Sequence, residues 1–248
     1  MNTLYEVNGL VFWSSEEIKF RNYIKEAFAD KIKAILTAEN KGWNFFEIEA
    51  PVLIPSDLIN KNYGDQDVWV QQPSGMKEIF AGDRHSLVLR PETTPSSYIY
   101  AQHLINSYLA LPPLVVYQTG KSFRREQDQV SKNMRLKEFY QQEFQCIYAA
   151  DTLNDYQEKV LEPVRAFMEK ILGKPARLVE SDRLPDYSLR TMDVEVDNGD
   201  KWMEVCSISK RTDFPQKVKF NNKTAIEKDM LVLEIAIGLD RCVYNYFK

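Results

Sequence analysis

Phe123-Arg124-Arg125-Glu126, a short polar loop and then Arg135-Leu136-Lys137-Glu138-Phe139 put arginines, acids and aromatic rings on a strand, a loop and a returning strand. An arginine grips phosphate through a planar fork of donors. A glutamate can accept from the exocyclic amine of an adenine, and a phenylalanine ring can stack on a purine. The chain has no glycine-rich phosphate loop, so a nucleotide bound here must be held by side chains rather than backbone amides. Taken alone, the arginine pair reads first as a solvated hairpin with surface arginines. On the returning strand, period two puts Phe139, Gln141, Glu143 and Gln145 on one face and Tyr140, Gln142, Phe144 and Cys146 on the other. Phe139 and Glu143 then share a floor, although the solvent side of a sheet has the same pattern.

The order Phe-Arg-x-Glu, loop, Arg-x-x-x-Phe-x-x-x-Glu, from Phe123 to Glu143, resembles the second signature motif of class II aminoacyl-tRNA synthetases. Two further segments resemble that family's other signatures, in the right order. Gly42-Trp43-Asn44-Phe45-Phe46, leading through Glu49-Ala50 to Pro51-Val52-Leu53-Ile54, is similar to the proline-centred first motif. Glu234-Ile235-Ala236-Ile237-Gly238-Leu239-Asp240-Arg241 is similar to the third, a strand turning at a glycine into a helix that carries an arginine. Leu89-Arg90-Pro91-Glu92-Thr93-Thr94, Trp202-Met203-Glu204 and Arg211-Thr212-Asp213-Phe214 resemble segments of glycyl-tRNA synthetases, as does the short loop of residues 127–134.

The resemblance implies a site residue by residue. Arg124 would hold the α-phosphate of ATP and Arg135 the γ-phosphate; Glu126 would read adenine, and Phe139 with Arg241 would sandwich it. Glu204 would be a Mg2+ ligand. Glu92, Glu143 and Glu234 would surround the substrate ammonium, and Arg211 would meet its carboxylate. Glycine has no side chain to grip, so selectivity must come from a charged cage and from excluding bulk. There are departures. Ala236 stands where the glycyl pattern has a serine, and Glu204-Val205-Cys206-Ser207-Ile208-Ser209 is similar to a run of seryl enzymes whose acid and first serine, here Ser207, serve the ATP magnesium. Glycine leads as substrate, with serine and alanine open. A separate anticodon-binding domain, usual after the third motif, is not expected in this chain. The reaction implied is attack of the amino-acid carboxylate on the α-phosphorus of ATP, giving an aminoacyl adenylate and pyrophosphate. The acceptor would be the end of a tRNA, or alternatively a carrier protein, a small molecule or a nucleobase. A catalytically silent accessory paralogue is the third alternative; the retained ATP residues speak against it.

The elements that must position these residues follow from patterning. Ser14-Ser15-Glu16-Glu17 is a capping box ahead of an amphipathic helix with apolar positions Ile18, Tyr23, Ala27, Phe28, Ile32, Ile35 and Leu36. A strand over 86–90 is closed by Pro91, a helix runs on through Leu109, and a second amphipathic helix over 153–172 stops at Gly173. Strands are expected over 177–181, 190–197, 201–208 and 231–237. Long helices flanking many strands, without a βαβ rhythm, predict a single α+β domain over residues 1–248, built on an antiparallel sheet.

Composition fits that picture. Of 248 residues, 44% are hydrophobic and 27% charged, as in an ordinary globule. No run approaches the ~18 apolar residues of a membrane span. Cys146, Cys206 and Cys242 are widely spaced, with only His85 and His103 as imidazole partners, so free thiols in a reducing cytoplasm are expected rather than a disulfide framework or zinc. A net charge of −4 does not advertise nucleic-acid binding; a local patch of Lys121, Arg124, Arg125, Lys132, Arg135 and Lys137 is the candidate surface. Apolar residues at Phe45, Phe46, Ile48 and Pro51 to Ile54 predict a homodimer interface.

Overall fold

The computed structural model describes residues 5–7, 10–59, 63, 68–70, 87–125, 134–182, 184–220 and 227–248. The chain opens on a hairpin, β1 (Tyr5–Val7) and β2 (Leu10–Phe12), followed by α1 (Ser15–Glu39). The capping box forms: Glu17 N donates to Ser14 Oγ at 3.4 Å and Ser14 N to Glu17 Oε2 at 2.6 Å. The buried stripe of α1 is Ile24, Phe28, Ile32 and Leu36, while Ile18 and Tyr23 are exposed. The expected face was therefore rotated at its N-terminal end: Tyr23 lies about 100° around the helix from Ile24, outside the i, i+4 seam.

Next come β3 (Asn44–Ile48), β4 (Leu53–Pro55), β5 (Trp69–Val70), β6 (Leu87–Leu89) and α2 (Thr94–Asn106). Helix α2 ends short of Leu109 because Tyr108 adopts a left-handed conformation, φ 55°, and Leu109 N turns back to Leu104 O at 2.9 Å. The hairpin β7 (Leu114–Phe123) and β8 (Glu138–Ala149) leads to α3 (Tyr156–Leu172), which Gly173 closes at φ 64°. Then follow β9 (Ala176–Glu180), β10 (Ser188–Asp197), β11 (Trp202–Arg211), β12 (Val218–Lys219), β13 (Glu227–Lys228), β14 (Met230–Gly238) and α4 (Leu239–Phe247).

Seven strands form the main sheet in the order β3-β7-β8-β14-β11-β10-β9. Every neighbouring pair is antiparallel except β3–β7 at the edge, which is parallel. The α+β sheet is thus mixed at one position. The chain between β3 and β7 carries the small sheet β4-β6-β5 and α2, a crossover long enough to bring the strand back in the same direction.

The two faces of the sheet have different jobs. On one, α1, α3 and α4 bury Phe28, Val160, Val164, Met168 and Cys242 against Phe144, Cys146, Val194, Ile208 and Ile235. On the other, α2 covers one end through Tyr98, Ala101, Leu104 and Ile105, packed on Val116, Ile147 and Val232. The remainder of that second face is the floor of the site. Phe46 and Ile48 pack on the α2 cluster and Phe45 on the main core, so much of the apolar surface expected at an interface is covered within the chain. Val52 and Leu53 remain 40% and 39% exposed.

Strand register lays the floor out as a grid. One row runs Gln145, Glu234, Ser209, Thr191 across β8, β14, β11 and β10; the next runs Gln118, Glu143, Ala236, Ser207, Asp193 across β7 to β10. Alternation alone would turn Glu204 away from Ser207. A bulge reverses this: Cys206 pairs with Val194 and Glu204 with Glu195, leaving Val205 as the extra residue. Glu204 thereby joins the lining of the site cavity.

Candidate active site

A cavity of about 450 Å³ over this floor is lined by Glu92, Arg124, Arg135, Phe139, Glu143, Glu204, Ser207, Glu234, Ala236 and Arg241, ten of the twelve residues selected from sequence. Arg211 stands behind the lining, bonded to Glu234, and Glu126 lies outside the described residues. The returning strand carries Gln141 and Glu143 inward and buried, so its polar face is not a solvent face.

The acid end is built from three elements. Glu143 Oε2 accepts from Thr93 N at 3.2 Å and from the Thr93 hydroxyl, with Thr94 Oγ1 3.4 Å away. Thr93 opens α2, and its hydroxyl goes to Glu143 instead of capping its own helix. The positive end of the helix dipole therefore faces this carboxylate. Glu234 Oε2 accepts from Arg211 Nη1 at 2.6 Å, Gln145 Nε2 at 2.8 Å and Thr94 Oγ1 at 2.9 Å. Arg211, only 1% exposed, gives its remaining fork to Asp213 at 3.0 and 2.6 Å and lies 4.0 Å from the Tyr187 ring centroid. Tyr98 donates to the same Asp213 at 2.9 Å.

This geometry sets the charge state. Burial pushes the Glu92 carboxyl up to about 8, with Glu143 and Glu234 adding to the shift and Arg211 and Arg124 opposing it. Glu143 is raised too, first by burial and then by Glu234, against the Thr93 hydrogen bond and the two arginines. Three acids and one shared guanidinium make a pocket short of positive charge, suited to a small cation.

The other end carries arginines and an aromatic ring. Arg124 Nε donates to Pro91 O at 3.2 Å, and its guanidinium lies 5.1 Å from the Phe139 ring centroid and 5.7 Å from that of Tyr63. Arg241 is held by Glu204, at 3.0 Å to its carbonyl and 3.2 Å to its carboxylate. Phe139 thus carries Arg124 on its face, and Arg241 is tied across the cavity. Of the expected basic patch, Lys121 is paired with Glu138 at 2.7 Å and Arg125 lies over Trp69.

The donors around Glu204 fit a magnesium ion. Glu204, Ser207 and Asp193 offer hard oxygens on one wall, and Asp193 is raised by burial and by Glu204, against hydrogen bonds from Ser207 and Ser181. Among the described residues no group of three or more histidine, cysteine, aspartate or glutamate side chains is placed to hold a metal ion by itself. Mg2+ takes one or two carboxylates and completes its shell with phosphate oxygens and water. Sequence reading missed Asp193, Thr191, Tyr187 and Tyr63. The first two were legible as polar alternation on a strand; the tyrosines arrive from loops and gave no signal.

A seven-stranded, largely antiparallel sheet with helices on one face and an arginine- and acid-lined cavity on the other defines the class II synthetase catalytic core. Residues 78–247 match the tRNA synthetase class II core domain of the glycyl, histidyl, prolyl, seryl and threonyl group, and the chain belongs to that family. It is 26% identical to the glycine–tRNA ligase of Mycoplasma genitalium (strain G37) over 256 residues, covering 96% of this chain and 54% of that protein. It is 30% identical to the glycine–tRNA ligase of Mycoplasmopsis synoviae (strain 53) over 184 residues, covering 67% and 41%. The chain spans about half the length of the curated relatives it matches. The fold is shared with prolyl-tRNA synthetase from Cryptosporidium parvum, solved with halofuginone and AMPPNP: TM-score 0.77, 15% identity, covering 98% of this chain and 48% of that one.

Proposed function

We propose that this protein activates a small amino acid with ATP, forming an aminoacyl adenylate, and transfers it to the acceptor end of a tRNA. The observation that carries this is the cavity itself, with three buried carboxylates at one end and Arg124, Arg135, Phe139 and Arg241 at the other. Glu92, Glu143 and Glu234 hold the ammonium, which fixes the carboxylate of a short amino acid toward the arginines. Arg211 acts as a positioning residue: its fork is spent on Glu234 and Asp213, so it orients the cage rather than reaching the substrate carboxylate. Arg124 and Arg135 neutralise charge developing on the phosphates as the carboxylate attacks in line, and no protein nucleophile is required. A magnesium ion held by Glu204, with Asp193 and Ser207 beside it, would neutralise the departing pyrophosphate. Arg241 would leave Glu204 to meet the nucleotide against Phe139. The relatives' names favour glycine; Ala236 leaves serine and alanine open. Transfer to a non-tRNA acceptor shares all these steps and differs only in the last.

The test is magnesium-dependent ATP–pyrophosphate exchange with glycine, serine and alanine. Arg124→Ala or Arg241→Ala should lower the rate on the order of 10² to 10³, the cost of losing a charge-assisted contact to a phosphate in the transition state. Exchange absent with every amino acid would leave the silent-paralogue reading. Labelled amino acid offered to total tRNA, and separately to tRNA-free extract, distinguishes the acceptors.

A further inference from the structure

At the nucleotide end of the floor a carboxylate continues the sheet where a strand has stopped. Pairing between β14 and β8 ends at Gly238 and Gln141, where β14 turns into α4. One residue further along β8, the backbone amide of Tyr140 finds no strand on that side and donates to Asp240 Oδ2 at 2.8 Å. Asp240 stands in the first turn of α4 and is 3% exposed. Its other oxygen, Oδ1, lies 3.4 Å from Arg21 Nη1 on α1, and the same guanidinium lies 3.9 Å from the Tyr140 ring centroid. One arginine therefore covers both partners of the bond. Burial pushes the Asp240 carboxyl up to about 6, while the Tyr140 N–H, Arg21 and Lys121 favour its ionised form.

The chain shows what that bond ties together. The Tyr140 amide is part of the peptide group that follows Phe139, and Asp240 directly precedes Arg241. The contact thus joins the backbone behind Phe139 to the backbone behind Arg241, and both of these residues line the cavity. Helix α4 does not need the contact to stay on the protein. Cys242 and Val243 are buried, and Phe20 stacks on Tyr246 at 3.9 Å with Phe247 edge-on at 5.9 Å. Apolar packing holds the last turn of α4 against α1, whereas the first turn is held by the Arg21–Asp240 pair.

We infer that Asp240 and Arg21 are positioning residues for the nucleotide: they fix the separation of Phe139 and Arg241, and with it the gap that receives the adenine ring. This rests on the activation reading above, which gives Phe139 and Arg241 to adenine, and goes beyond it by naming what sets their spacing. Neither residue touches the base. Asp240 acts through the Tyr140 amide, and Arg21 acts through Asp240.

The experiment measures binding of MgATP and of inorganic tripolyphosphate to the full chain by calorimetry, with KM values from pyrophosphate exchange alongside. The variants are Asp240→Ala, Asp240→Asn, Arg21→Met and the double variant Arg21→Met with Asp240→Ala. Asp240→Ala removes the acceptor of the Tyr140 N–H and should weaken ATP about tenfold, the order of one hydrogen bond. Tripolyphosphate affinity and the amino-acid KM should stay within about twofold, since both belong to other parts of the cavity. Asp240→Asn keeps an oxygen for the amide and should recover most of the loss. Arg21→Met should weaken ATP about threefold, and adding it to Asp240→Ala should cost nothing more, because the arginine works through the carboxylate. Asp240→Ala binding ATP like the native protein overturns the inference, as does a parallel loss of ATP and tripolyphosphate. Asp240→Asn as weak as Asp240→Ala, or a double variant weaker than Asp240→Ala alone, also overturns it. A native protein that binds ATP without exchange with any amino acid sinks activation and leaves the binding measurements to decide this inference; one that binds no ATP sinks both.

Discussion

Glu92 is 7% exposed, and its carboxyl is displaced upward to about 8 by burial among other acids. Two consequences have opposite relations to pH. For binding, an ammonium requires the ionised form, so amino-acid affinity should rise between pH 6 and 8 as the proton leaves, by up to about tenfold per pH unit for one linked proton. For folding, the native pKa lies above the unfolded value of roughly 4.3, so the native state is favoured by the bound proton. That contribution is complete below the unfolded pKa and is lost as pH climbs through about 8. Glu92→Gln should therefore melt at a higher temperature than the native protein at pH 8, with the difference shrinking toward pH 5, while its KM for the amino acid rises. Melting curves whose offset does not change with pH would mean that the proton is not held at Glu92. Arg211 gives a second outcome. Burial works against its charge, but Glu234, Tyr98 and Asp213 outweigh it and hold the guanidinium firmly protonated. Asp213→Asn should loosen Arg211 from Glu234 and raise the amino-acid KM with little change in the KM for ATP, separable by varying each substrate in turn.

At the scale of elements, the site depends on register, and register was only partly legible in the sequence. Period two gave the floor of β8 directly, because Phe139, Gln141, Glu143 and Gln145 lie on an unbroken strand. It could not give Glu204, which an unbroken β11 would turn away from Ser207; the bulge at Val205 is set by pairing with β10 and has no local sequence signal. The parallel edge pair was invisible for a similar reason, since direction is decided by a crossover and not by residues of β3. Arg90 shows the same kind of long-range cause. It is 2% exposed and donates to the carbonyls of Ala50 at 3.1 Å, Pro51 at 3.3 Å and Lys121 at 3.0 Å, and to Gln118 Oε1 at 3.0 Å. Gly120 is there to let the guanidinium pass, because a Cβ at that position would collide with Arg90 Nη2. Gly120→Ala should cost about 1–3 kcal/mol, the usual penalty for overpacking, read as a lower urea midpoint at unchanged slope. A midpoint equal to that of the native protein would show that Arg90 has room to move.

For the whole molecule, assembly remains a proposal with a smaller basis than the sequence suggested, since Phe45, Phe46 and Ile48 are used internally. Among the described residues, Val52, Leu53, Leu87 and Trp69, each 39–40% exposed on the small sheet and its lead-in, form an apolar patch that could pair two copies. If a two-fold dimer forms there, Val52→Asp should shift light-scattering mass from twice 29.0 kDa toward 29.0 kDa. A native protein monomeric at every micromolar concentration would remove the dimer. The residues from Arg90 to Thr94 raise a different matter. Arg90 is clamped to the strand edge, Pro91 O holds Arg124, Glu92 stands in the acid pocket, and Thr93 and Thr94 hold Glu143 and Glu234. Both ends of the cavity hang from five consecutive residues with almost no regular structure between them. A ligand that draws Arg124 forward pulls on the same short tether that spaces the carboxylates, so the two substrates should sense each other's arrival. Each would bind more tightly once the other has stiffened that tether, a thermodynamic conversation conducted through covalent bonds rather than through the sheet.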